Sequence, residues 1–166
     1  EPGRTDWEGF RTATRAAASG GVGSLVDMPL NSIPPTTSAE ALRTKKNEAL
    51  GQCLIDVGFW GGVVPGNAKD LEGLAREGAR GAKAFMYFSG VDEFPGCTEA
   101  DLRPAMLELK RLGIPLLVHA EVEGPIDAVA EQIAKLNPRA YSTYLASRPQ
   151  AAEGEAVALV SALCRE

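Results

Sequence analysis

The sequence predicts an α/β fold, a partial (β/α)8 barrel of four strands and their helices in one incomplete domain over residues 1–166. Short apolar runs alternate with helical patterns along the whole chain. The runs start near positions 23, 54, 80 and 114, which lie 31, 26 and 34 residues apart, the length of one βα unit. Polar residues follow several runs, as they do at the active end of a barrel.

Four largely apolar runs predict parallel strands that are covered on both faces. They span residues 23–30, 54–64, 80–88 and 114–121. A doubly wound open sheet also fits this alternation, but it should carry a glycine-rich phosphate loop after its first strand. The sequence from Asp27 to Asn31 contains neither G-x-G-x-x-G nor a Walker motif. We therefore favour a barrel, of which four strands are half.

Helical patterns separate the strands, and four of them begin with a capping signal. A fifth helix is expected over 151–164. The capping signals are Thr5 with Glu8, Thr37 with Glu40, Asn67, and Thr98. The first helix should bury Trp7, Phe10, Thr14 and Ala17, while Gly20, Gly51, Gly78 and Gly113 should end four helices in a left-handed conformation.

Composition excludes several classes of protein. A content of 45% hydrophobic and 23% charged residues is typical of a globular domain and not of a disordered or fibrous chain. The net charge of −5 without a basic cluster argues against nucleic-acid and membrane partners, and no apolar run is long enough to span a bilayer. Three unpaired-looking cysteines and no visible signal peptide predict a reducing, cytoplasmic location.

Lys83 is the most unusual residue for chemistry, because small and apolar residues surround it in the third run. A lysine in such a run is usually salt-bridged or extends its ammonium to water, and the pattern alone favours that interpretation. Burial would instead favour the neutral amine, which can form a Schiff base or add CO₂ to give a carbamate. A carbamate can bridge two divalent metals.

His119 is the single histidine and ends the fourth run. From the pattern alone, a structural histidine and a metal ligand both remain open. Four nearby acidic residues are expected to be solvated loop carboxylates: Asp92, Glu93, Glu121 and Glu123. Gly61 and Gly62 are expected to serve turn geometry, and Cys97 has no histidine near it in sequence that would activate a nucleophile.

Five stretches together resemble the allantoinase group of the amidohydrolase superfamily, in the branch that also contains dihydroorotase and dihydropyrimidinase. They are EPGRTDWEGF (1–10), DMPLNSIPPTT (27–37), DVGFWGG (56–62), SGVDEFP (89–95) and LLVHAE (116–121). The resemblance covers nearly the whole chain. D-M-P-x-N-S and V-G-F-W-G-G are specific to the allantoinase-like group, whereas V-H-A-E and G-x-K-x-F are shared more widely.

The resemblance implies a barrel hydrolase with two divalent metal ions, usually Zn²⁺, that opens the cyclic amide of allantoin to allantoate in purine breakdown. It implies that Lys83 is carboxylated and bridges the metals, that His119 is a metal ligand, and that Asn31 contacts the cyclic ureide substrate. It also implies a homo-oligomer, a tetramer, for the intact enzyme. The 27–37 and 61–67 loops are expected to line the pocket.

The resemblance also implies residues that the sequence lacks: an H-x-H pair, a further histidine and the catalytic aspartate. The resemblance therefore implies that residues 1–166 are an inactive fragment that covers about strands two to five of the barrel, with the catalytic aspartate beyond its C-terminus. Two alternatives remain open: a dihydroorotase- or dihydropyrimidinase-type enzyme, and a non-catalytic scaffold that has kept the fold.

Overall fold

Parallel strands form the centre of the molecule in the computed structural model, which describes residues 2–166. Strand β1 (Ser24–Asp27) pairs with β2 (Asp56–Phe59), and Asp27 lies opposite Phe59. Strands β3 (Gly61–Gly62), β4 (Ala82–Phe85) and β5 (Leu116–His119) form a second parallel sheet in that order. The mixed α/β fold is confirmed.

The two sheets meet at Trp60, which separates β2 from β3 within one extended run. The Trp60 amide donates to the Asp27 carbonyl at 2.9 Å, and the Gly61 amide donates to the Gly81 carbonyl at 2.9 Å. The run therefore joins β1 on one side to β4 on the other. All four runs lie side by side in chain order.

Seven α-helices and one 3-10 helix accompany the strands over the part of the chain that the structure describes. They are α1 (Phe10–Ser19), α2 (Ala39–Ala49), the 3-10 helix (Ala68–Asp70), α3 (Leu71–Arg76), α4 (Glu99–Leu112), α5 (Glu123–Ile133), α6 (Tyr141–Ala146) and α7 (Gln150–Arg165). Helices α5 and α6 were not predicted from the sequence.

Helix α4 begins and ends where its capping signals predict. The Thr98 hydroxyl and amide both donate to Asp101 Oδ2, at 2.7 Å and 2.9 Å. Gly113 ends the helix with a left-handed φ of 69°. Local hydrogen bonding therefore fixes both ends of this helix.

The predicted start of α1 is wrong, because the helix begins at Phe10 and not after Thr5. Trp7 is 61% exposed and packs under the Arg4 guanidinium, 4.6 Å from the ring centroid. A cation over an aromatic face holds this indole at the surface, so Trp7 does not join the core. Gly20 is also not left-handed there; Gly21 is, at φ 81°.

Two other caps differ from the prediction. Ser38, and not Thr37, caps α2 by accepting from the Ala41 amide at 3.2 Å. Asn67 caps no helix with its side chain. Its Oδ1 accepts from the Val64 amide at 3.0 Å, and its Nδ2 donates to the Gly62 carbonyl at 2.9 Å. The buried amide therefore organises the 62–67 loop.

The core lies on one face of the β4 strand, where Ala82 and Ala84 are fully buried. The apolar stripe of α4 packs in the same cluster through Leu102, Ala105 and Leu109. Side chains alternate along a strand, so Lys83 and Phe85 lie on the opposite face. Most strands were expected to be covered on both faces; β1 is not, because Val26 is 39% exposed.

Gly81 allows close packing between neighbouring strands. A Cβ at this position would lie 2.2 Å from Trp60 Cζ3 and 2.6 Å from the Pro115 carbonyl oxygen. Only glycine fits such an approach.

No helix within residues 2–166 has both the length and the apolar character to cross a bilayer.

Candidate metal centre

Lys83 lies in the middle of β4, half-buried and on the face away from the α4 core. Its Nζ is 5.0 Å from the centroid of the Phe85 ring. No carboxylate pairs with it among residues 2–166. Burial lowers the pKa of the Lys83 ammonium, because a low-dielectric environment disfavours the charged form. The salt-bridged lysine that the sequence pattern favoured is therefore not observed.

His119 lies at the end of β5, directly opposite Phe85 in the parallel ladder. The imidazole stacks on the Phe85 ring with centroids 5.0 Å apart and an interplanar angle of 15°. Two residues earlier along the same strands, Lys83 pairs with Leu117. Because paired residues in parallel strands point to the same side, Lys83 and His119 share one face of the sheet.

A cavity of about 950 Å³ opens on this face, and both Lys83 and His119 line it. Strands β4 and β5 form its floor, and α6, α7 and the link between them form the facing wall. Tyr144, Arg148 and Gln150 contribute side chains to that wall. The cavity is therefore large enough for a small cyclic molecule beside the lysine and the histidine.

Glu121 also lines the cavity, and it is not the solvated loop carboxylate that we expected. His119 Nε2 lies 2.6 Å from Glu121 Oε2. Arg148 Nη1 lies 3.8 Å from the same oxygen. The Glu121 side chain is only 20% exposed, because it sits between an imidazole and a guanidinium.

The three other acidic residues are exposed, as expected. Glu93 pairs with Arg4 at 3.0 Å. A backbone hydrogen bond lowers the pKa of the Glu93 carboxyl most, and the charge of Arg4 lowers it further. Cys97 is buried in the core, and burial raises the pKa of its thiol to about 12. A thiol held protonated is a poor nucleophile.

Asn31 lies in the loop after β1, exposed and with a left-handed φ of 60°. Neither it nor any residue of the 27–37 and 61–67 loops lines the 950 Å³ cavity in the part of the chain described. That these loops line the pocket of the intact enzyme stays a prediction. Gly61 and Gly62 instead approach Leu74 and the Phe94 ring, where a Cβ would lie 2.9 Å and 2.5 Å away.

A buried ion pair at the end of β1 was missed from the sequence. Lys45 is only 1% exposed, and its Nζ donates to Asp27 Oδ2 and to the Met28 carbonyl, both at 2.8 Å. Asp27 therefore anchors α2 to the strand end and does not face the cavity lined by Lys83 and His119. A lysine in the helical segment 39–50 gave no sequence signal of such burial.

Comparison with known proteins gives the wider context of this geometry. Residues 1–164 match the model of the Amidohydrolase family. The chain belongs to the amidohydrolase family. Amidohydrolases generally use two metal ions, and no cluster of three or more His, Cys, Asp or Glu side chains that could hold a metal occurs within residues 2–166. Lys83, His119 and Glu121 all line the cavity described above.

Individual amidohydrolases resemble the chain closely. It is 50% identical to "Allantoinase, mitochondrial" of Aquarana catesbeiana over 166 residues, covering 100% of the chain and 34% of that protein. It is 52% identical to the allantoinase of Streptomyces avermitilis over 158 residues, covering 95% of the chain and 35% of that protein. The chain spans about a third of the length of these amidohydrolases.

Solved amidohydrolase structures show the same fold. The L-hydantoinase (dihydropyrimidinase) from Arthrobacter aurescens superposes with a TM-score of 0.88 at 31% sequence identity, covering 94% of the chain and 34% of that protein. A D-hydantoinase superposes with a TM-score of 0.78 at 28% identity, covering 93% and 35%. The alternating α/β arrangement is thus shared with hydantoinases.

Proposed function

We propose that residues 1–166 are part of a metal-dependent hydrolase that opens the cyclic amide of allantoin to give allantoate. The observation that carries this proposal is that Lys83 and His119 lie on one face of the sheet and line one cavity. The chain is also 50% and 52% identical in sequence to two allantoinases. The substrate is a small cyclic ureide.

We further propose that the segment forms one incomplete barrel domain of about four strands. Support comes from the strand order, which follows the chain order with parallel pairing throughout the described residues. A doubly wound sheet would instead reverse its strand order at a switch point. The chain also spans about a third of its relatives, so the remaining strands would come from the rest of the enzyme.

The environment of Lys83 fits a carboxylated lysine. Its amine is half-buried, lacks an acidic partner within residues 2–166 and has a lowered pKa, so the neutral, nucleophilic form is favoured. Its nitrogen would form a bond to the carbon of CO₂ and release one proton, giving an anionic carbamate. Lys83 and His119 would then hold two divalent metals, and Zn²⁺ is the ion that we propose.

When bound, the metal pair lowers the pKa of water and polarises a carbonyl. The residues of this chain would bind the metals and orient the substrate beside them. His119 supplies a nitrogen ligand that the Phe85 ring holds in place, and the cavity wall encloses the substrate. We propose that Asn31 contacts the ring amide in the complete enzyme. The catalytic aspartate, which would act as general base, would come from outside residues 1–166.

The full-length protein that contains this segment provides the test. We expect it to bind Zn²⁺ and to hydrolyse allantoin faster than dihydroorotate or dihydrouracil. Lys83→Ala should lose most of the bound metal and the activity, whereas Lys69→Ala, at an exposed lysine, should keep both. Preference for dihydroorotate or dihydrouracil would favour the alternative enzymes, and a full-length sequence without the H-x-H pair would favour the non-catalytic scaffold.

Location and assembly complete the proposal. All three cysteines are free in the structure, which supports a reducing compartment, and we propose the cytoplasm. We also propose that the intact enzyme is a homotetramer. Cell fractionation and light scattering of the full-length protein test these two statements.

A further inference from the structure

We propose that Glu121 and Arg148 are positioning residues that hold His119 with Nδ1 available to a divalent metal. The inference rests on the proposed function, since it assigns His119 a metal. It adds two residues to the site that are not ligands themselves.

The contact between His119 and Glu121 favours one tautomer of the imidazole. Glu121 Oε2 lies 2.6 Å from His119 Nε2, and a carboxylate oxygen accepts hydrogen bonds. An ionised Glu121 therefore assigns the donor role to Nε2. In the neutral ring, Nδ1 then has the lone pair that can bind a metal. The stacked Phe85 ring restricts the tilt of the imidazole at the same time.

Arg148 acts on Glu121 from the other side. Its Nη1 lies 3.8 Å from the same Oε2 atom, and its guanidinium carbon lies 5.1 Å from the centroid of the Tyr87 ring. The positive charge over an aromatic face is thereby held near the carboxylate. Among the described residues, no hydrogen bond or ion pair joins Arg148 to His119, whereas each of them pairs with Glu121, so the effect of Arg148 would pass through Glu121.

The backbone brings these two residues together although they are far apart in sequence. The amide of Val122, directly after Glu121, donates to the Ala152 carbonyl at 3.1 Å. Ala152 is buried in the first turn of α7, and Arg148 lies two residues before Gln150, the first residue of that helix. The end of β5 and the start of α7 are therefore fixed to each other.

Such an arrangement has a known physical effect. A carboxylate that accepts from the second nitrogen of a metal-bound histidine orients the ring and increases its basicity as a ligand. Loss of that partner typically weakens metal binding about 10- to 100-fold. An exposed ion pair without this role would contribute little.

The test measures Zn²⁺ affinity of the full-length protein by competition with a chelator, beginning from metal-free protein. Glu121→Leu should weaken at least one Zn²⁺ site about 10- to 100-fold. Glu121→Gln keeps an oxygen that accepts from Nε2 and should recover most of that loss. Glu123→Leu, at an exposed carboxylate two residues along, is the matched control and should bind Zn²⁺ like the wild type.

Arg148→Met tests whether Arg148 acts through Glu121. It should weaken Zn²⁺ binding on its own, less than Glu121→Leu does, and it should add nothing in a Glu121→Leu background. An equal further loss in that background would show that Arg148 acts independently and would overturn its assigned role. The Arg148 side chain is 38% exposed, so we expect Arg148→Met to fold. It therefore tests the proposal even if Glu121→Leu does not fold.

The melting temperature of the metal-free protein separates positioning from general stability, because only a structural role would lower it together with the affinity. Glu121→Leu with wild-type Zn²⁺ affinity, in an enzyme that binds Zn²⁺ and hydrolyses allantoin, would overturn this inference alone. A wild-type enzyme that does neither would overturn the proposed function instead.

Discussion

The imidazole of His119 and the ring of Phe85 stack across the β4–β5 ladder, 5.0 Å apart and nearly parallel. Lys83 Nζ lies 5.0 Å from the same Phe85 ring. One apolar side chain thus contacts both proposed metal-binding residues. It would restrict them before a metal arrives and so reduce the conformational freedom lost on binding.

Replacing Phe85 should therefore weaken metal binding without removing a ligand. An aromatic pair contributes about 0.5–1.5 kcal/mol, so we expect Phe85→Leu to weaken Zn²⁺ binding by the full-length protein about 2- to 10-fold. The measurement is chelator competition. Phe88→Leu, at an exposed ring in the same cavity, should change the affinity less, and an equal effect of the two variants would contradict the prediction.

The Lys45–Asp27 pair should matter for stability. Removing one partner of a buried pair leaves an uncompensated charge and typically costs about 3–5 kcal/mol. We expect a loss of that order for Asp27→Asn, measured by urea unfolding. The double variant Lys45→Met/Asp27→Leu should be more stable than Asp27→Asn.

A surface ion pair provides the control for that experiment. Arg76 and Glu72 are both exposed and lie one helical turn apart in α3. Arg76→Ala should cost about 0.5 kcal/mol or less. A similar loss for Arg76→Ala and Asp27→Asn would show that burial of Lys45 adds nothing.

Two glycines should respond oppositely to alanine. Gly81→Ala places a Cβ against Trp60 and a strand carbonyl, and we expect it to destabilise the protein by about 1–3 kcal/mol. Gly154 lies inside α7 with open space around it, so Gly154→Ala should stabilise by about 0.5–1 kcal/mol. Thermal unfolding of the full-length protein checks both signs.

Cys97 should make stability fall at alkaline pH. Its folded pKa is about 12, above the unfolded value of about 8.5, so between these values the folded state binds a proton that the unfolded state has released. Its contribution is fully present below pH 8.5 and is lost as the pH rises. Relative to Cys97→Ala, the wild-type free energy of unfolding should fall by about 1.4 kcal/mol per pH unit between pH 9 and 11. A constant difference across that range would contradict this.

The isolated segment 1–166 should associate with itself. Within the described residues, β1 and β5 each pair with one strand only, and Val26 on β1 is exposed. Unpaired edges and uncovered apolar faces promote intermolecular pairing. Size-exclusion chromatography with light scattering should show oligomers or aggregates, whereas a monodisperse monomer that melts cooperatively would be evidence against an open half barrel.

Local signals account for the elements that the sequence predicted well. Thr98, Asp101 and Gly113 specify the ends of α4 with bonds inside a few residues. All four predicted strands occur as shorter elements inside the expected ranges. Helices α5 and α6 were missed, and large apolar side chains such as Tyr141 and Tyr144 remain exposed there, so no buried stripe marks them.

The site was predictable only in part, for a physical reason. The sequence predicted Glu121 as a solvated loop carboxylate, because nothing in the local pattern shows that Arg148 approaches it. The same is true of Lys45, whose partner Asp27 lies on another element. Burial of a charged side chain depends on tertiary contacts, and those contacts join residues that are distant in sequence.

Within residues 2–166, the lining of the 950 Å³ cavity runs from Lys83 to Val157. Homologous recombination that exchanged only this stretch between two relatives would transfer these lining residues together. The loop that carries Asn31 would then be inherited from the other parent. The residues that line this cavity and the proposed ring contact at Asn31 could thus evolve independently.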